Sequence, residues 1–308
     1  MQREAEALRP EMNSNSILCY GEVLWDMLPA GPALGGAPLN LAFRLHSLGQ
    51  SVRMVSRLGR DELGDRALEL IKGFGLDSSL IQRDREYGTG SVRVELGPGG
   101  DPDFTILPDT AYDQIEFTAE LERAAGEAGC ICFGSLAQRT ENGRATLLRL
   151  LDSAPGALRF LDLNLRPACY SPELAVACLK TADILKLNGT EALEVAGMIG
   201  WSGLDLPAFC ARCVAEYGLK ACVITLGGGG ALAASDRDGE IVYSAGYRVK
   251  VVDTVGSGDA FSAGFLSAWL GGGSLAECCK LGNILGALNS ARSGATAPIE
   301  ESEIWSLI

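Results

Sequence analysis

The feature that most limits the fold of this chain is an alternation. Short β-rich apolar runs recur along it: "SILCYGEV", "SVRMVSRLG", "CICFGSL", "LRFLDLN", "ADILKLN" and "KACVITLG". Segments of helical length and pattern separate them, such as "APLNLAFRLHSLG" and "DELGDRALELIKGFG". Near-continuous apolar strands spaced by helices predict a mostly parallel sheet covered by helices. In such sheets ligands bind beyond the C-terminal ends of the strands. Polar residues gather at those ends: Ser135 and Arg139, Asn164 and Arg166, Lys186 and Asn188, then Thr225. Any one of them could simply begin a loop, but four successive strands point to one crevice.

One segment breaks the alternation. "GTGSVRVELGPGGDPDFTILPDTAYD", Gly88 to Asp113, has period-two runs around a Gly-Pro-Gly-Gly-Asp turn and no crossover helix. It predicts a hairpin outside the parallel sheet. Such a hairpin can be a lid, a dimer contact or decoration. A lid ranks first, because phosphate chemistry requires water to be excluded.

Composition removes several function classes. The net charge is −13 and no basic stripe appears, which argues against nucleic acid and anionic membranes as partners. The longest uncharged apolar stretch, Ala260 to Ser274, is glycine-rich and too short to span a bilayer. Residues 1–16, "MQREAEALRPEMNSNS", carry acids and Pro10 without an apolar run, so a polar tail and a cytoplasmic protein are expected. The cysteines lie inside apolar runs, where they act as small hydrophobes. Cys210 and Cys213 form a CxxC within a helical pattern and lack a second metal-binding pair. His46 is the only histidine, which argues against His-rich metal sites and Ser-His-Asp hydrolysis.

The chemistry concentrates in "DTVGSGDAFSAGFLSAWL", Asp253 to Leu270. Gly256 and Gly258 allow a tight turn, and a helix begins there whose free amides favour an anion. A P-loop would supply a lysine, and this loop has none. Asp259 would repel a resting phosphate but suits a hydroxyl attacking one. It could take the hydroxyl proton while the amides of Gly256, Ser257 and Gly258 stabilise the transferred group. Taken alone, Asp259 is equally well a helix N-terminal acid. Two other stretches are suggestive. "TLGGGGALAA" is a weak dinucleotide fingerprint, since a hairpin rather than a helix follows it. "GEVLWDMLPAGPALGGAPLN" sets Asp26 just after a strand, then Gly35, Gly36 and Asn40, a donor and acceptor set for a polyol or a plain helix cap.

Together these stretches resemble the ribokinase-like (PfkB) carbohydrate kinases. "DTVGSGDAF" matches the family's C-terminal signature and "GGAPLNLA" its N-terminal one. "RLGRDELG" and "KLNGTE" match its G-x-D-x-x-G and N-x-x-E stretches. Within the family the wording is most similar to bacterial fructokinases.

The resemblance implies a three-layer α/β domain over 17–308 with a small β lid near 88–113. It implies phosphorylation of fructose at O6 by ATP with Mg2+. A kinase for 2-keto-3-deoxygluconate or another sugar is the same-class alternative, and an inactive sugar- or nucleotide-binding regulator is the other. By resemblance Asp259 is the base, and Gly256, Ser257 and Gly258 are the anion hole. Asp26, Gly35, Gly36, Asn40 and Arg166 hold the sugar. Lys186, Asn188, Glu191, Thr225, Gly227, Gly230 and Asn283 serve the nucleotide, with Glu191 reaching Mg2+ through water. Asp253 and the carbonyls of Val255 and Gly294 match a monovalent-cation site, here for K+. The short "PAGPA" between Leu28 and Leu34 implies a lid resting mainly on Gly88–Asp113, which leaves a lid-mediated homodimer open.

Overall fold

The structure is a computed structural model that describes residues 16–28, 31–96, 102–237 and 239–307. The expected polar tail and the Gly-Pro-Gly-Gly-Asp turn fall outside the described residues, apart from Ser16. The chain opens with β1 (Ser16–Tyr20), β2 (Leu24–Leu28), β3 (Gly31–Gly35), α1 (Ala37–Ser47), β4 (Val52–Gly59), α2 (Glu62–Gly73) and β5 (Ile81–Asp84). There follow β6 (Gly90–Leu96), β7 (Pro102–Ile106), α3 (Ala119–Gly126), β8 (Ala128–Phe133), α4 (Glu141–Asp152) and β9 (Leu158–Asp162). Next come α5 (Pro172–Leu179), β10 (Ile184–Asn188), α6 (Gly189–Met198), α7 (Leu206–Tyr217), β11 (Ala221–Thr225), β12 (Gly230–Ser235) and β13 (Ile241–Ala245). Helices α8 (Ser257–Leu270), α9 (Leu275–Ser290) and α10 (Glu301–Ser306) complete the described chain.

The alternation folds as read. Nine strands form one sheet in the order β13-β12-β11-β10-β9-β8-β1-β4-β5, parallel from β11 to β5 and closed by the antiparallel β12 and β13. Both faces of the sheet are buried, so neighbouring residues of one strand join different cores. Ile17 and Cys19 pack with α1, α8 and α9, whereas Leu18 and Tyr20 pack with α3 to α7. Cys210 and Cys213 are buried free thiols of the second core. Among the described residues no helix is long and apolar enough to cross a membrane.

The second sheet differs from expectation. It has four strands, in the order β3-β2-β6-β7, and two of them come from the segment expected to contribute little. Leu24–Leu28 and Gly31–Gly35 pair antiparallel as a hairpin, and β2 then pairs parallel with β6. Pro32 is tolerated because β3 is an edge strand, where a missing N–H leaves no ladder bond unmade.

The "RLGRDELG" stretch joins the two sheets. Asp61 caps α2 by accepting from the Gly64 amide at 2.7 Å. It also accepts from the Thr89 amide at 2.8 Å and the Thr89 hydroxyl at 2.6 Å, just before β6. Burial opposes ionisation of Asp61, but these donors and Arg83 outweigh it and hold the carboxyl below its usual range. A depressed folded-state pKa means that the stabilisation is present above the unfolded pKa and lost as pH falls through the folded one. Asp61→Ala is expected to cost about 1–2 kcal/mol at pH 7, the scale of a lost cap. The difference from wild type should shrink as pH falls below ~4, the ordinary carboxylate range. Urea denaturation at both pH values measures it.

Candidate active site

The chain leaves β1 to lay β4 and β5 on one side, then returns to lay β8 to β11 on the other. A crevice therefore opens between β1 and β8, beyond the strand ends. A small pocket occupies it, lined among others by Glu22, Pro38, Ser135, Asp162 and Asn164.

The N-terminal stretch forms one wall. Asp26 sits inside β2, opposite Ala33, rather than in a loop. A Cβ added at Gly35 would lie 3.0 Å from Asp26 Oδ2, so glycine leaves the carboxylate open. Gly36 caps α1 with φ 114°, and a Cβ there would overlap the Glu22 carbonyl. Only glycine allows both. Asn40, 6% exposed, donates through Nδ2 to Asp259 Oδ2 at 2.8 Å. Its Oδ1 has no hydrogen-bond partner among the described residues. Arg166 is exposed at the rim, and its charge acts on Glu22, Asp26 and Asp259.

The glycine loop forms the opposite wall. Gly256 has φ 74° and caps α8, and a Cβ there would overlap Ala295. Ser257 is tied to its neighbours in the loop. Its amide donates to the Thr254 carbonyl at 3.1 Å and its hydroxyl pairs with that of Ser290 at 2.8 Å. Ser257 therefore shapes the loop. The helix-mouth amides of Gly258 and Asp259 have no carbonyl four residues back within the helix and are the ones open to an anion. Asp259 keeps some solvent contact but lies deep among protein atoms. Burial and the charge of Asp162 push its carboxyl up to about 6, against the pull of Asn40, Lys186 and Arg166.

The lysine missing from the loop comes from another strand. Lys186, on β10, donates to both carboxylate oxygens of Asp162, each at 2.9 Å. A Cβ built on Gly258 would lie 3.2 Å from Lys186 Nζ, so the ammonium sits directly beneath the loop. Burial opposes its charge, but Asp162 and Glu191 outweigh burial and raise its pKa. Ser262 of α8 donates to Asp162 Oδ2 at 2.8 Å and fastens the helix to the pair.

An open cleft of about 810 Å³ adjoins this site, lined by Asn188, Thr190, Leu193, Thr225 and Gly227 among others. Asn188 is exposed and caps α6 by accepting from the Glu191 amide at 2.9 Å. Glu191 is buried with both oxygens engaged, by the Asn188 amide at 2.8 Å and the Leu165 amide at 2.9 Å. It braces the ends of β9 and β10. No group of three or more acidic, Cys or His residues among the described residues could hold a metal by itself. That suits Mg2+, which is usually held by phosphates and water with one or two protein oxygens. Gly230 is buried with φ 99°, at the turn into β12. Asn283 lies on α9. It is 7% exposed, and its amide is committed to β13 at Ser244 and Ala245.

Asp253, Val255 and Gly294 converge. Asp253 accepts from the Val255 amide at 3.0 Å and the Gly294 amide at 2.9 Å. The Val255 carbonyl accepts from Asn289 at 2.8 Å. The donor set is oxygen only and includes one carboxylate, which fits a hard monovalent cation. Arg44, 1% exposed, braces the same loop from α1 by donating to the Ala297 carbonyl at 2.9 Å.

Sequence reasoning missed Glu22, which lines the cavity as a second buried carboxyl. The available signal was an acid following a glycine at the C-terminal end of an apolar strand.

The Lys186–Asp162 pair gives a direct test of this geometry. Lys186→Met should destabilise the fold by about 3–5 kcal/mol, because it strands a buried carboxylate. Adding Asp162→Asn should recover part of that loss, as measured by chemical denaturation.

Comparison with known proteins places the chain by sequence and fold. The chain is 28% identical over 295 residues to the fructokinase of Salmonella typhimurium, covering 89% of this chain and 93% of that protein. Its fold superposes on the ATP-bound fructokinase of Xylella fastidiosa with a TM-score of 0.84 at 24% identity, covering 96% and 98% of the two chains. It superposes on a fructokinase of Vibrio cholerae O395, solved with fructose, ADP and potassium ion, with a TM-score of 0.81 at 21% identity, covering 96% and 99%. At these identities the structural likenesses show the fold alone. Residues 31–302 match the pfkB family carbohydrate kinases, and the chain belongs to that family.

Proposed function

We propose that this carbohydrate kinase is a fructokinase, transferring the γ-phosphoryl group of ATP to O6 of fructose. The charge of the cavity carries the reading. Glu22 and Asp162 line it, and the charge of Arg166 acts on Glu22, Asp26 and Asp259 together. Arg139, the other candidate cation for a sugar acid, is bound to Asp113 at 2.7 and 2.8 Å and to the Leu107 carbonyl at 2.8 Å. An acidic cavity suits a neutral polyol better than a sugar carboxylate.

Asp26 and Asn40 hold sugar hydroxyls, and Arg166 spans the sugar and the transferred group. The attacking hydroxyl gives its proton to Asp259 as its oxygen bonds to the γ-phosphorus. The bond to the bridging oxygen breaks, and ADP leaves. Charge on the moving group meets the helix-mouth amides and the Lys186 ammonium below them. ATP lies in the cleft at Asn188, Thr225 and Gly227. Mg2+ would neutralise phosphate charge there, held by Asn188 and, through water, Glu191. K+ would sit at Asp253, Val255 and Gly294, bracing the loop without touching substrate. The four-stranded sheet acts as the lid, and the enzyme works in the cytoplasm.

Asp259 must be ionised to act. With its carboxyl near 6, kcat should fall about tenfold per pH unit below that value. Asp259→Asn should lose at least ~10²-fold in turnover while still binding nucleotide. In a sugar panel, fructose should show higher kcat/KM than 2-keto-3-deoxygluconate, ribose or adenosine. Preference for 2-keto-3-deoxygluconate would keep the kinase and remove fructose.

A further inference from the structure

We infer that Glu22 is a sugar-binding carboxyl, accepting a hydrogen bond from a substrate hydroxyl other than the one phosphorylated and so helping to set which sugar is accepted. The inference rests on the chain being a carbohydrate kinase and does not require the sugar to be fructose.

Glu22 follows β1 at the topological switch point and lines the cavity there with Asp162, Asn164 and Ser135. It is 5% exposed. Its carboxylate accepts from the Ala37 amide, the first of α1, at 3.2 Å. Among the described residues no Lys or Arg lies within ion-pair distance of it, in contrast to the buried Asp162 and Asp113. A buried carboxyl without a salt-bridge partner is costly, and such groups cluster at functional sites. Burial pushes the Glu22 carboxyl up to about 7, against its own amide, Arg166 and Ala37.

The backbone holds it in place from two sides. A Cβ at Gly21 would meet the Pro38 ring at 2.5 Å, and one at Gly36 would overlap the Glu22 carbonyl. The "GE" and "GGAP" pairs are thus interlocked, and the interlock holds Glu22 against the first turn of α1, within the field of Asp259. A sugar that reaches Asp259 comes within the electrostatic reach of Glu22, on which the Asp259 charge already acts.

A purely structural alternative exists, since Glu22 also caps the first turn of α1. Glu22→Gln separates the two, because its amide oxygen still accepts from Ala37 while the charge is removed. Steady-state kinetics would use whichever sugar of the panel wild type phosphorylates best. KM for that sugar is expected to rise at least ~10-fold, the scale of a hydrogen bond to a charged group, with KM for ATP within about twofold of wild type. A wild-type measurement stands independently of how the variant folds. KM for sugar should rise as pH falls through about 7, where Glu22 protonates, while KM for ATP stays level. The titratable groups around Glu22 are Asp259, Asp162, Arg166 and Tyr112, with Asp26 sharing the field of Arg166. The inflection assigned to Asp259 lies about one unit lower and should appear in kcat. Unchanged sugar KM in Glu22→Gln, or no inflection near pH 7 in wild type, overturns the role of Glu22 and leaves the kinase standing. Failure of wild type to phosphorylate any sugar overturns both.

Discussion

The Asp162–Lys186 pair lies where three elements must agree. β9 supplies the carboxylate, β10 the ammonium, and α8 reaches the pair through Ser262. Both charges are buried, so the pair costs desolvation energy that its mutual attraction must offset. An apolar pair of the same shape would pack without that cost. What it could not supply is a fixed positive charge beneath Gly258, placed before any phosphate arrives. Preorganised charge of this kind needs no rearrangement at the moment of reaction. The glycine loop can therefore do without a lysine of its own and present a carboxylate in its mouth instead.

That carboxylate has company. Glu22, Asp26 and Asp259 share the field of Arg166, and burial moves all three toward the neutral form. Raised folded-state pKa values invert the usual acid contribution to stability. These groups favour the folded state at low pH, and that contribution is lost as pH rises through their folded values. Near neutral pH the three carboxyls are thus held at some cost to stability. Asp61 works in the opposite direction, as a stabiliser that acid removes.

Much of the fold could be read from periodicity, because strands buried on both faces leave near-continuous apolar runs. β2 and β3 escaped that reading. The hairpin is short, proline-bearing and at a sheet edge, so its pattern resembles a loop. The site was legible where chemistry sits in one contiguous stretch, as at Gly256–Asp259 and Gly35–Asn40. It was illegible where sheet order brings distant residues together. Nothing in "ADILKLN" says that its lysine lies beneath a loop some seventy residues on. Ser257 and Asn283 fit the family pattern by position, yet their hydrogen bonds go to Thr254, Ser290 and β13. Spacing along a chain does not reveal which way a polar group is already satisfied.

The Asn40–Asp259 hydrogen bond spans 219 residues, and the Arg44–Asn289 bond spans 245. The two walls of the candidate site therefore belong to opposite ends of the polypeptide as it is made. A nascent chain can complete β1, β4 and β8 while α8 and α9 are still within the ribosome. Until those helices emerge, one apolar face of the sheet has only α1 and α2 to cover it. Contacts of such long sequence separation form late and slowly. Catalytic competence is then the last property the chain acquires, and a growing chain without α8 has no site at which to use up nucleotide.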